Sequence, residues 1–532
     1  MCAAISGLFL ALCFPWWDQG WLVWLALTPL ISAVWLSPAG PRKWRRDALL
    51  GYLTGFVFFA TTFRWLGSPI AALFQNPWLI SLPILMAGFM GIYIAFWAWF
   101  IGRLPRGDTQ FLSSGRNIAI AFLAACAWIT QEWVRGWFLG GFGWNGLGVA
   151  LHENLALIQV ADITGIWGLS FLVAFANVIA FITIRRFVAE IGRVRIRPHY
   201  DFSAMMALVV VAFAYGVHAL QHPVDLPPAC VPLRIAALQP YVAESDKWDA
   251  VHVREIYARY DSLTHTALAW NPQLLLWPEA STLTDLFDSD TFAYLKEISA
   301  STDAAFILGS FLSPPDQGDY NIAAAITRHG AKVQIYRKMH LVPFGEYIPL
   351  RYSFPLFAKI AGQLVPSDLR AGTEYSTFDL DSPPLRVGPL ICFEDTVGDL
   401  TRRMAGHGTQ LLINITNDSW FGTSPGSTQH LDNALFRAIE NRRPLVRDAN
   451  TGVTCIIDAE GRILQSLRGE DGSPFLEGVL FATVQVPRQP PTTVYMQWGD
   501  WVVYVSVAVT LLAAAASLIG PKSATAQEPS PK

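Results

Sequence analysis

Eight apolar stretches, each about long enough to cross a bilayer, decide what this chain can fold into. A spanning helix needs roughly 20 mostly apolar residues. The sequence offers Met1–Trp17, Gly20–Leu36, Ala48–Leu66, Trp78–Ile101, Asn117–Val134, Val160–Ile184 and Ala204–Leu220, then Trp501–Ile519 at the far end. Met1–Trp17 lacks the basic start and small-residue cleavage site of a signal peptide and is followed at once by another apolar run, so it reads as a first, short span. Charge divides at the same place. Residues 1–220 hold 14 Lys and Arg against 8 Asp and Glu, and the rest holds 24 against 33, so the net −3 is +6 in front and −9 behind. A uniform soluble enzyme, a disordered chain and a nucleic-acid binder with a basic surface are all excluded. The expected organisation is a membrane domain over 1–220 with seven transmembrane helices, an outer domain over 221–500, a last span over 501–520 and a tail over 521–532.

Lys and Arg in short loops orient such a chain. Arg42, Lys43, Arg45 and Arg46 mark one loop, Arg103, Arg106 and Arg116 a second, and Arg185, Arg186, Arg193, Arg195 and Arg197 a third, whereas 18–19, 67–77 and 136–159 carry neither residue type. Both termini are therefore expected inside and residues 221–500 outside. Arg64 and Arg135 fall near outer helix ends, where each either snorkels to the interface or holds a lipid phosphate. Glu132, His152 and Asp162 near the same side read as satisfied interface polar groups.

After a Pro-containing linker (221–228), short apolar runs alternate with helical patterns, which argues for an α/β domain. Expected strands are Leu233–Leu238, Gln273–Trp277, Ala305–Phe311, Asn321–Thr327, Val333–Arg337, Arg386–Cys392, Gln410–Thr416, Val453–Asp458 and Val479–Val486, with hairpin connections at 328–332 and 459–462. Helices are expected near Asp249–Ala269, Asp290–Ser301 and Leu431–Asn441. The apolar connections His340–Arg370 and Asn417–His430 have the length of lids or binding loops; the first either dips into lipid or packs on the domain.

Three strand ends carry chemistry. Glu279 stands in Leu276-Trp-Pro-Glu-Ala-Ser281, Lys338 in Tyr336-Arg-Lys-Met-His-Leu-Val-Pro-Phe-Gly-Glu346, and Cys392 at the end of Val387-Gly-Pro-Leu-Ile-Cys, followed by Phe393-Glu394-Asp395-Thr396. Strand ends are where side chains of α/β domains converge. A carboxylate to take a thiol proton, a cysteine to attack a carbonyl and an ammonium to hold the oxyanion are the parts of thiol acyl transfer. Cys2, Cys13 and Cys126 lie in expected membrane helices as small apolar fillers, and Cys230, Cys392 and Cys455 would face a compartment where disulfides are possible. No Cys/His spacing supports a metal site, and no cofactor is expected.

The motifs WPEAS, YRKMHLVPFGEY, ICFED and INITNDSWFG, in that order, resemble the nitrilase (carbon–nitrogen hydrolase) superfamily. The apolar segments around them resemble its membrane branch, the bacterial apolipoprotein N-acyltransferases. The resemblance implies an α-helical membrane domain joined to an αββα sandwich, a Glu279–Lys338–Cys392 triad and a location in the inner membrane with the catalytic domain in the periplasm. It implies ping-pong transfer of the sn-1 acyl chain of a phosphatidylethanolamine-like phospholipid to the N-terminal S-diacylglyceryl cysteine of an apolipoprotein, by a monomer working at the bilayer without nucleic acid. Glu346 and Glu394 match supporting acidic positions, and Trp248 and Trp420 match aromatic positions tied to substrate or loops, with ordinary packing as their alternative. Asn321 and Asn417 are candidate hydrogen-bonders of the site or turn formers. Phe393 stands where many relatives have Tyr, which removes a hydroxyl and leaves the backbone amide, and Gly143 stands where relatives often have Pro. Two other readings stay open: a membrane-tethered amidase in which water takes the acyl group, and a non-catalytic lipoprotein-binding module.

Overall fold

The computed structural model describes the chain except residues 105–112, 192–197, 225–228, 248, 250, 328–329, 352, 354–366 and 520–532. Expectations resting on Arg106, Arg193, Arg195, Arg197, Trp248, the part of the connection His340–Arg370 at 352 and 354–366, the linker at 225–228, the tip of the 328–332 hairpin and the tail from Pro521 lie outside the described residues.

Among the described residues, four helices are long and apolar enough to cross a membrane: Pro77–Arg103, Ser114–Arg135, Ile166–Glu190 and Tyr200–Gln221. Lys43–Thr62 and Arg64–Leu73, bent by 49°, add a fifth if the pair is one span. The structure thus supports four or five spanning helices where eight regular ones were expected. Met1–Trp17 reduces to the helix Cys2–Leu12, about 17 Å long at 1.5 Å per residue. Gly20–Leu36 breaks into a 3-10 turn at Gly20–Trp24 and a helix at Thr28–Trp35. The cause is Pro29, which has no amide hydrogen and clashes with the preceding turn. The buried Asn177 completes the break, its Oδ1 accepting from the Leu27 amide and its Nδ2 donating to the Val23 carbonyl, both at 2.8 Å. Val160–Ile184 breaks at Gly165, where φ is +62°. The C-terminal helix Trp501–Ile519 falls in the shorter class.

The outer region contains two six-stranded sheets. β1 (Cys230–Gln239), β2 (Leu274–Leu276), β3 (Ala305–Leu312), β4 (Tyr320–Thr327), β5 (Lys332–Arg337) and β12 (Gly478–Pro487) form one, in the order β12-β1-β2-β3-β4-β5. β6 (Phe378–Asp381), β7 (Pro384–Ile391), β8 (Leu411–Thr416), β9 (Leu445–Ala449), β10 (Cys455–Ile457) and β11 (Ile463–Ser466) form the other, in the order β11-β10-β9-β8-β7-β6. Inner faces meet through Ile235, Leu276, Ile307, Val387, Ile413 and Val446. Helices α1 (Val253–Leu268) and α2 (Ser289–Ala300) cover the first sheet, with Tyr260, Leu263 and Leu295 in that layer's core. Helices α3 (Gly398–Gly406) and α4 (Gly426–Asn441) lie on the second. This is an αββα sandwich.

The nine expected strands are present. The edge strands β6 and β11 and the interior strand β9 were not foreseen; β9 reads Leu-Val-Arg-Asp-Ala, and its Arg447 and Asp448 are fully buried. Helix α4 starts at Gly426, so the expected loop Asn417–His430 is largely a 3-10 turn and the first turn of a helix.

Helix α4 is a wall common to both regions. All of its residues but Thr428 are buried, and Leu431, Leu435 and Ile439 belong to one apolar core with Val23, Phe59, Trp97 and Trp144 of the helical region. At its C-terminal end, Arg442 (φ +49°) pairs with Asp162 at 2.6 Å and donates to Gln159 Oε1 at 2.6 Å. Arg442→Leu leaves Asp162 without its cation, and breaking a buried pair costs about 3 kcal/mol. A clear fall in melting temperature of the detergent-purified protein is the expected result; an unchanged melt would show that the two regions do not depend on this pair.

Candidate active site

Strand ends of both sheets place the candidate residues. Beyond β2, Trp277 is buried and Pro278-Glu279 runs against β3 so closely that a Cβ on Gly309 would lie 2.6 Å from the Glu279 Cα. Gly309 is therefore what allows the approach, and Ala280, at φ +50°, turns the chain away. Lys338 follows β5. Its Nζ lies 3.1 Å from Glu279 Oε1 and 3.0 Å from Glu346 Oε1. Asn321 on β4 donates through Nδ2 to the same two oxygens, each at 2.8 Å. One ammonium and one amide thus join two carboxylates in a four-membered ring of side chains. Glu346 Oε2 also accepts from the Val342 amide at 2.8 Å, which anchors it to its own loop.

Cys392 follows β7 with φ +51°, a left-handed backbone rare for a residue with a side chain. Glu394 holds this elbow: its Oε2 accepts from the Ile391 amide (2.8 Å), and its Oε1 accepts from Tyr336 OH (2.8 Å) and the amides of Met339 (2.7 Å) and His340 (3.1 Å). One carboxylate therefore ties the Cys392 segment to the segment carrying Lys338. The Cys392 carbonyl accepts from Asn414 Nδ2 at 2.9 Å.

Burial dominates the electrostatics. Burial, Glu279 and Asp418 push the Cys392 thiol well above the ordinary range, against Lys338 and a hydrogen bond to Thr416. The resting sulfur is thus a thiol that needs a base. Burial works against the charge of Lys338, but Glu279 and Glu346 reverse this and raise its pKa, keeping the ammonium charged. Burial pushes Glu394 up to about 7 against the amides that hold it down. Burial and Lys338 together drop His340 to about 4, so it is a neutral ring 5.7 Å from Phe393.

The remaining candidates separate. Asn417 Nδ2 donates to Glu244 at 2.6 Å and its Oδ1 accepts from Asn450 at 2.9 Å, so its hydrogen bonds go to residues other than the ring. Trp420 is half-buried in the turn Asp418–Phe421. Arg64 is exposed with its guanidinium 4.4 Å over Trp16. Arg135 is buried and donates to the Trp144 carbonyl at 2.7 Å, so it neither snorkels nor faces a lipid phosphate. Cys2, Cys13, Cys126, Cys392 and Cys455 are free thiols.

Sequence reasoning missed several neighbours. Phe142 and Trp144, from the outer loop 136–159, stack on Phe393 at 5.7 and 6.1 Å. Buried Lys247 donates to the Glu279 carbonyl at 3.1 Å. Behind the elbow, His430 lies 2.8 Å from both Asp395 and Asp418, and Arg447 pairs with Asp418 at 3.0 Å. The signal available was a lone His, Asp and Arg far apart in sequence, each unremarkable until folded together. A groove of about 700 Å³ lies elsewhere, walled by Asp379, Arg386, Gln410 and Arg488, and includes no residue of the ring.

His430 gives a pH test. Burial alone would strip its proton; Asp395 and Asp418 overcome this, against Arg447, and hold its pKa up to about 9. A folded pKa above the unfolded 6.5 means that this stabilisation is complete below about pH 6.5 and is lost as pH rises through about 9. Two to three pKa units correspond to roughly 3 kcal/mol. The melting temperature is expected to fall between pH 6.5 and 9 more steeply in the wild type than in His430→Gln; parallel profiles would contradict the assignment of that proton.

The family model for the apolipoprotein N-acyltransferase N-terminal domain matches residues 6–179, and that for carbon–nitrogen hydrolase matches residues 234–489. An apolipoprotein N-acyltransferase of Geobacter metallireducens is 33% identical over 520 residues, covering 96% of this chain and 94% of the relative. Namesakes from Brucella melitensis and Rickettsia prowazekii are 30% and 28% identical, over 98% and 88% of this chain and 95% and 90% of their own lengths.

Proposed function

Since the chain belongs to the apolipoprotein N-acyltransferase family and is an acyltransferase of that family, we propose that Cys392 carries the acyl group as a thioester between a phospholipid and a lipoprotein amine. The observation that carries this reading is the ring of Glu279, Lys338, Glu346 and Asn321 next to a cysteine held at positive φ.

In the first half-reaction Glu279 takes the thiol proton and the sulfur attacks the sn-1 ester carbonyl of a phosphatidylethanolamine-like phospholipid. Charge developing on the carbonyl oxygen is met by the Lys338 ammonium and by backbone amides near Phe393. As the tetrahedral intermediate collapses, the C–O bond breaks, the proton on Glu279 passes to the leaving alkoxide, and lysophospholipid departs. In the second half, Glu279 takes a proton from the α-amine of an S-diacylglyceryl cysteine, the amine attacks the thioester, and the thiol is restored as the amide forms. Glu346 and Asn321 position Lys338 and Glu279, Glu394 fixes the elbow, and Trp248, Asn417 and Trp420 serve the substrate loops. Neither step needs a metal or cofactor to balance.

The Lys/Arg-bearing loops and both termini lie inside, so the catalytic region, residues 221–500, sits on the outer face, where the bilayer supplies the donor. Eight crossings fit this orientation, the short and broken helices included, because buried side chains such as Asn177 satisfy the backbone where a span is interrupted. A reporter fused after Arg46 is expected to behave as cytoplasmic; a periplasmic signal there would invert the topology.

Mass spectrometry of the purified protein with phosphatidylethanolamine is expected to show one fatty acyl group on the Cys392 peptide, discharged by a diacylglyceryl lipopeptide. Cys392→Ala should lose acyl transfer and the adduct while keeping membrane insertion. Discharge by water alone would turn the reading to an amidase, and no adduct on the wild type would turn it to a binding module.

A further inference from the structure

Where the helical region meets α4, away from the ring around Lys338, three side chains distant in sequence face one another: Asp18 from the turn after the first helix, His152 from the outer loop 136–159, and Asp432 from α4 itself. One potential ligand atom from each lies within 4.8 Å of the others. We propose that these three residues bind a divalent cation of zinc-like character that clasps the helical region to α4.

Three observations carry this. The first is a gap. His152 Nε2 lies 3.7 Å from Asp18 Oδ2 and 3.7 Å from Asp432 Oδ1, too far for hydrogen bonds. His430, the other imidazole set between two carboxylates, closes on both at 2.8 Å. Donors about 2.0–2.1 Å from a shared tetrahedral ion are about 3.3 Å apart, near the spacing seen at His152.

The second is the orientation of the imidazole. His152 Nδ1 lies 3.2 Å from the Val149 carbonyl, to which it donates. That bond places the other ring nitrogen toward the carboxylates, the arrangement in which a metal-bound histidine is held by a backbone carbonyl.

The third is unmet acceptor capacity. Asp432 is 4% exposed and its Oδ2 is buried with no hydrogen-bond partner, and Asp18 Oδ1 is in the same condition. Two carboxylates with orphaned oxygens and Glu153 nearby make a negative recess against one imidazole. A histidine ligates metal through its neutral ring, so binding competes with protonation and weakens as pH falls. One imidazole and two carboxylates, with water completing the shell, suit Zn²⁺ better than the all-oxygen shells of Mg²⁺ or Ca²⁺.

The test uses the full-length chain in detergent micelles, stripped with chelator, in a Cys392→Ala background so that the thiol does not compete for metal. With Zn²⁺ added, bound metal is counted by elemental mass spectrometry and unfolding is followed by temperature. The expected result is one zinc per chain, a melting temperature raised by several degrees, weaker binding at pH 5.5 than at pH 7.5, and no such rise with equal Mg²⁺. His152→Ala and Asp432→Asn should each lose the zinc and the thermal shift. Should either fail to fold, Asp18→Asn, on the more exposed side of the cluster, is the deciding variant, with affinity at least roughly tenfold lower and an unchanged metal-free melt. Zinc absent from the parent, or retained at full affinity in the folded variants, overturns the proposal.

Discussion

Helix α4 is the constraint on which the rest of the structure depends. An amphipathic surface helix shows one face to a core and one to water, but α4 has no face left for water: one side packs on the second sheet and the other on the helical region. Its polar residues therefore have to be answered by name. Gln429 Oε1 accepts from Trp65 Nε1, Trp144 Nε1 and Asn145 Nδ2 at 3.1–3.3 Å, while its Nε2 donates to the Pro15 carbonyl at 2.6 Å. At the other end Glu440 accepts from the Ile166 amide at 3.0 Å and from Arg437 at 2.7 Å. The next residue along from Gln429 is His430, which pairs with Asp395 behind the Cys392 elbow. A shift of α4 along its axis would therefore move the wall of the site and the docking surface together.

The aromatic loop completes that coupling. Phe142 and Trp144 come from the helical region, Phe393 follows Cys392, and the rings of Trp144 and Phe393 are parallel to within 8°. With Phe393 in place of a tyrosine, the ring has no hydroxyl to satisfy, and its contribution here is packing against two rings and the neutral His340. The consequence is positional: the elbow that bears Cys392 is held by Glu394 from one side and by a stack rooted in the helical region from the other.

Much of this was legible in the sequence, and what was not has physical reasons. Glu279, Lys338 and Cys392 stood out because each stands at a strand end, and the apolar runs before Glu279 and Cys392 announce themselves by composition. The partners of Lys338 were half visible, since Glu346 lies only eight residues away on a turn. Helix breaks were hidden: hydropathy sees Gly20–Leu36 as one run, and neither Pro29 nor the distant Asn177 changes that average. Strand β9 was hidden for the opposite reason, its Arg447 and Asp448 reading as surface although both are buried in the interior of the second sheet. The His430 network and the Asp18–His152–Asp432 cluster depend on contacts across hundreds of residues, and local spacing carries no trace of them.

So many buried polar groups at one joint call for an explanation, because an apolar seam would be simpler. Next to a bilayer an apolar seam has little to hold it in register, since lipid tails solvate leucine as well as another leucine does. Hydrogen bonds and ion pairs have fixed lengths and directions, and a displacement that leaves one unmet costs the full desolvation of the group. Gln429, Asp162 with Arg442, and Glu440 are such groups, set at intervals along α4, and each is answered by the helical region rather than by the sandwich alone. Their net contribution to stability is modest for the same reason that their specificity is high: desolvation takes back most of what pairing supplies. What they fix is where the sandwich stands relative to the helices.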